Sequence, residues 1–82
     1  MNITLKFFSY FTKYLRADAV NYAMELQVEE GAVIGAVLVD FDVPLDECRL
    51  VIINGIVRTD TVIALTTKLV EGDTVAILPN VH

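Results

Sequence analysis

Few residues in this chain could do covalent or metal chemistry, and they are scattered. Cys48 is the only cysteine and His82 the only histidine, so neither an internal disulfide nor a zinc site can be assembled from them. A thiol nucleophile needs a lowered pKa, and the flanking Asp46 and Glu47 push the other way, so Cys48 reads as a structural thiol. Asp40, Asp42, Asp46 and Glu47 lack the alternating spacing and central glycine of a calcium loop and read as a solvated acidic rim that steers basic partners. His82, one imidazole at a chain end, is expected to be solvated rather than metal-bound. There is no glycine-rich phosphate loop, no Ser-His-Asp set and no pair of carboxylates that could be buried together. The chain is therefore not expected to be an enzyme, nor to carry a resident cofactor or metal.

The informative stretch is the last one, from Leu69 to His82. Gly72-Asp73 is a turn signal, Val75 and Ile77 alternate as in a half-buried strand, and Pro79, which lacks an N–H, marks where the chain is expected to leave the sheet. The chain then ends in a short tail, Pro79-Asn80-Val81-His82, whose use would be presentation to another molecule.

The elements that would hold this tail are legible from periodicity. Asn2 to Phe8 alternates with Ile3, Leu5 and Phe7 on one face; Tyr22 to Val28 alternates with Met24, Leu26 and Val28. The two predict an antiparallel pair joined by an irregular or single-turn connection over residues 9–20. After the turn at Glu29-Glu30-Gly31, Ile34, Val37, Leu38 and Phe41 form the stripe of a helix packed on a sheet. That helix has no capping side chain, contains Gly35, and ends near residue 41 or 42, ahead of Pro44. Leu50 to Ile53 is a buried strand, Asn54-Gly55 a hairpin turn, and Ile56-Val57 a short returning strand. Thr61 to Thr67 is ambiguous between helix and loop. The order is β-β-α-β-(β)-β, an α+β arrangement with one domain over residues 1–82.

If Val75 and Ile77 point to the helix, then Thr74, Ala76 and Leu78 face outward, and alternation places either Leu50 and Ile52 or Val51 and Ile53 beside them. The open sheet face would then be apolar. Composition suits a contact protein: 55% hydrophobic and 21% charged residues in an 82-residue chain. A net charge of −5 repels nucleic acid and anionic membrane surfaces and favours a basic protein partner. No apolar run approaches the roughly 20 residues of a membrane span, and with no demand for an oxidising compartment the expected location is cytoplasmic.

The order and spacing of several pieces together resemble the family of molybdopterin-synthase small subunits and thiamine sulfur carriers (MoaD/ThiS). These pieces are Phe7-Phe8; Tyr14-Leu15-Arg16; Val28-Glu29-Glu30-Gly31-Ala32; Pro44-Leu45-Asp46-Glu47; Val51-Ile52-Ile53-Asn54-Gly55; and the run Leu69, Gly72, Asp73, Val75, Ile77 and Pro79. The resemblance implies a ubiquitin-like β-grasp fold, a mixed sheet of four to five strands with one packed helix. It implies a sulfur carrier in molybdopterin or thiamine-type cofactor biosynthesis, a substrate rather than a catalyst. An E1-like enzyme would adenylate its terminal glycine carboxylate before sulfur replaces AMP. The implied partners are that adenylating enzyme and a cofactor-synthase large subunit. The implied contacts are the tail Pro79, Asn80, Val81 and His82, and the sheet-face residues Phe8, Ala76 and Leu78 with an outward residue of the 50–53 strand.

One feature departs from the family: the sequence stops at His82, two glycines before the family's reactive end. Two residues span at most about 7 Å, and about 1 Å of misplacement can cost about 100-fold in rate, so the chain as written is expected to be a poor adenylation substrate. Three readings stay open at this point: a carrier whose terminal pair lies beyond this sequence, a non-conjugating β-grasp interaction module, and an unrelated small α+β domain.

Overall fold

The computed structural model describes residues 1–79. The alternating stretches form strands as their periodicity requires. Strand β1 (Asn2–Phe7) turns Ile3, Leu5 and Phe7 inward, and β2 (Ala23–Gln27) turns Met24 and Leu26 inward. They pair antiparallel, Asn2 with Gln27 through Lys6 with Ala23. Strand β3 (Cys48–Ile53) and the short β4 (Ile56–Arg58) form a hairpin around Asn54-Gly55, whose φ values of 51° and 82° are the left-handed pair such a turn demands. Strand β5 (Thr74–Pro79) lies between β1, to which it is parallel, and β3, to which it is antiparallel. The sheet order is β2-β1-β5-β3-β4, so the last strand is central.

Helix α1 (Ile34–Asp40) packs Ile34, Val37 and Leu38 against the inward residues of the sheet. Its N-cap is Val33, without a side-chain hydrogen bond, and its C-cap is Phe41, followed by Asp42 at φ 62°. Packing therefore holds the helix where capping does not. Gly35 has a steric reason to be glycine: a Cβ there would sit 3.0 Å from the Leu65 carbonyl oxygen. That oxygen belongs to a second, one-turn helix, α2 (Thr61–Leu65), which the sequence leaves undecided. It starts at Asp60, whose carboxylate accepts a hydrogen bond from the Ile63 N–H at 3.1 Å. Among its apolar residues only Ala64 is fully buried, while Val62 and Ile63 are exposed, so no amphipathic stripe announces it.

Within the connection over residues 9–20, expected to be irregular or a single turn, the turn is formed. Ser9–Tyr14 forms a 3-10 helix that inserts Phe11 into the core, where it meets Phe7 edge-on, with ring centres 6.3 Å apart. Phe7 makes similar contacts with Tyr14 and Phe41. At the opposite end of the sheet two turns lock together. The buried Asp73 carboxylate accepts hydrogen bonds from Asn54 Nδ2 and the Val70 N–H, both at 2.9 Å. Asn54 Oδ1 in turn accepts from the Thr74 N–H at 2.8 Å.

Candidate functional site

The candidate site is the sheet face turned away from α1, where β5 approaches its end. Because Val75, Ile77 and Pro79 point inward, Thr74, Ala76 and Leu78 line the outward side of β5. The register resolves which residues of β3 accompany them: Leu50 stands opposite Leu78 and Ile52 opposite Ala76, both partly exposed, whereas Val51 and Ile53 are in the core. Val57 of β4, 52% exposed, stands opposite Ile52 and extends the apolar surface to the sheet edge. On the other flank Lys6 stands beside Ala76. Phe8, just past β1 and still extended, places its ring 5.6 Å from that of Tyr22, and its N–H donates to the Ile77 carbonyl at 3.3 Å.

The sequence-predicted residues are thus partly united. Phe8, Ala76 and Leu78 lie on one side of the sheet with Leu50 and Ile52, although Ala76 is only 8% exposed and contributes flatness more than contact area. Tyr22 and Val57 join them without a sequence signal of their own; their exposure and register reveal them. Pro79 departs from expectation. It is the last residue of β5, paired with Cys48, and its side chain is fully buried, so it belongs to the sheet and the core rather than to a presented surface. A proline is tolerated there because a bulge between Cys48 and Leu50 already breaks the ladder at that end. Asn80, Val81 and His82 lie outside the described residues.

Two side chains connect the segments on either side of the β5 terminus. Tyr10, which follows β1, donates its hydroxyl to Glu47 Oε1 at 3.2 Å, and Glu47 immediately precedes β3. Partial desolvation, then the hydrogen bond and charge of Glu47, raise the Tyr10 hydroxyl pKa above its ordinary value. Cys48 is buried beside Pro79, its thiol 3.8 Å from the Pro44 carbonyl. Burial, and then the charges of Asp46 and Glu47, push its pKa up to about 11, which is the environment of an inert thiol. Asp40 ends α1, Asp42 follows it in the loop, and Asp46 lies in the short 3-10 helix Leu45–Glu47 ahead of β3. Among the described residues no three His, Cys, Asp or Glu side chains converge as a metal site would require. No helix among them is long and apolar enough to cross a membrane.

Three solved structures share this architecture over nearly the whole chain. The HVO 2177 protein of Haloferax volcanii superposes with a TM-score of 0.73 at 23% identity, covering 100% of this chain and 85% of that one. A putative molybdopterin converting factor, subunit 1, from Pyrococcus furiosus gives 0.64 at 19% identity, covering 98% of each chain. The fold is MoaD-like, a ubiquitin-like β-grasp. SAMP1 from Haloferax volcanii gives 0.66 at 20% identity, covering 99% of this chain and 97% of that one. No protein-family model and no curated protein sequence matches the chain. The MoaD-like likeness therefore rests on the fold.

Proposed function

We propose that this chain is a MoaD/ThiS-like carrier, a β-grasp body that presents its C-terminal peptide and the adjoining apolar sheet face to an E1-like adenylating enzyme or a cofactor-synthase large subunit. One observation carries the reading: β5 is the central strand, so its last described residues lie beside the partly exposed apolar side chains of Leu78, Leu50 and Ile52 rather than at a solvent-facing edge. A partner that grips the tail necessarily meets this face. A standard interface buries about 800 Å² per partner, an area that half of a five-stranded sheet can supply.

In this role the chain is consumed and recharged rather than catalytic. Adenylation joins the terminal carboxylate to AMP with release of pyrophosphate, and sulfur then displaces AMP to leave a thiocarboxylate for delivery to a molybdopterin or thiamine-type precursor. Glycine at the terminus suits that step because a tail without Cβ atoms threads a narrow channel.

The test is ATP–pyrophosphate exchange with the E1-like adenylating enzyme of the same organism, using the natural chain read to its stop codon. Exchange that depends on this protein supports the carrier reading. No exchange, with retained binding through the sheet face, replaces it with a non-conjugating interaction module.

A further inference from the structure

The net charge of −5 suggests a basic partner, but among the described residues acids are nearly absent from the strands that form the docking face. Among the described residues, Glu25 is the one acid at an outward strand position, near the β2 edge, and it accepts a hydrogen bond from the Thr4 hydroxyl at 3.1 Å. Glu29, Glu30, Asp40, Asp42, Asp46 and Glu47 lie in or beside the segments that lead into and out of α1, with Glu47 reaching Tyr10 beside the β5 terminus; Asp18 pairs with Arg16, Asp60 caps α2, Glu71 accepts from the Asn2 N–H, and Asp73 is buried. The central part of the outward face instead carries cations on both sides of β5. Lys6 stands beside Ala76 on β1, and Arg49 is exposed in the bulge of β3 next to Leu50, level with Leu78 and Pro79. Neither has an ion pair or side-chain hydrogen bond among the described residues; the ion pair found there is Arg16 with Asp18.

We propose that the sheet face docks a protein surface with an apolar centre flanked by carboxylates, which Lys6 and Arg49 engage on either side of the Leu50–Leu78 contact. The proposal rests on the docking role proposed for this face and specifies the partner's chemistry. Two cations separated by an apolar strip fix a partner's orientation across the strip, because rotating it would move its carboxylates onto hydrophobic surface. The acids near α1 have a complementary effect: they repel an acidic partner from the wrong face and leave the sheet face as the favourable approach.

The experiment measures the affinity of the purified E1-like adenylating enzyme of the same organism for the full natural chain at about 50 and about 500 mM salt. Leu78→Asp and a Lys6→Met/Arg49→Met double variant are measured alongside. Methionine keeps the apolar reach of both side chains and removes the charge. The double variant is expected to bind about tenfold more weakly at low salt and to lose most of the salt dependence, with an unchanged urea midpoint showing an intact fold. A Lys6→Glu/Arg49→Glu variant is expected to bind more weakly still. Wild-type affinity and salt dependence in the methionine variant, while Leu78→Asp abolishes binding, overturn the acidic-partner proposal and leave the docking face standing. Unaltered binding by Leu78→Asp, or no binding by wild type, overturns the docking face itself and the proposal with it.

Discussion

Leu78 is the side chain that tests the proposed docking most sharply, because it is outward, partly exposed, opposite Leu50, and one residue before the buried Pro79. A carboxylate placed there would be desolvated against the apolar centre of a docked surface and would compete for Arg49. Leu78→Asp is therefore expected to weaken partner binding by about 100-fold or more, read by titration calorimetry, with the urea midpoint little changed. Asp73 tests the opposite kind of residue. Its carboxylate ties the Asn54 turn to the chain entering β5, and it is buried, so Asp73→Ala strands the Asn54 amide and the Val70 N–H. The expected loss is about 2 to 3 kcal/mol in urea unfolding, with partner affinity retained once the variant is folded. Cys48 supplies a pH readout. With its pKa raised to about 11, the folded chain keeps the thiol neutral where an unfolded chain ionises, near the ordinary value of 9.0. Its contribution is present below pH 9 and is lost as pH rises toward 11. A thiol reagent at pH 8 is expected to label Cys48 slowly in the native protein and rapidly in urea; fast native labelling would contradict the burial.

Most elements are legible in the sequence because their residues carry the period of the structure they form: β1, β2, the α1 stripe, the Asn54-Gly55 hairpin and β5 all lie within a residue or two of where alternation places them. The remaining details have separate physical causes. The 3-10 helix exists because Phe11 fits among Phe7 and Tyr14, and its local pattern is too short to show that. Helix α2 is built from β-branched residues exposed to solvent and depends on the Asp60 cap. Pro79 stays in the sheet because the bulge opposite it, near Arg49, relaxes the ladder. At the site, the parity of β5 is readable, but the choice of Leu50 and Ile52 over Val51 and Ile53 requires the register. Gly35 makes the element-level prediction. Helix propensity alone says Gly35→Ala stabilises by about 1 kcal/mol, whereas the Leu65 carbonyl 3.0 Å from the new Cβ says α1 and α2 must separate. The contact is expected to win, so Gly35→Ala lowers the thermal midpoint; a higher midpoint would show that α2 yields freely.

At the scale of the whole molecule, the chain segregates its tasks between two sides of one sheet. One side holds α1 and the apolar core, with acids in the segments around the helix; the other is open, apolar toward β5, β3 and β4, and cationic at Lys6 and Arg49. The placement of β5 at the centre puts Pro79, the last described residue, beside the open side, and under the proposed function a partner engages both. Amide shift mapping of the isotopically labelled natural chain, titrated with the E1-like adenylating enzyme, tests this most directly. The largest changes are expected on Lys6, Phe8, Arg49, Leu50, Ile52, Ala76 and Leu78, together with the tail. Changes confined to α1 and the acids around it, with the outward residues of β5 and β3 unmoved, would contradict it.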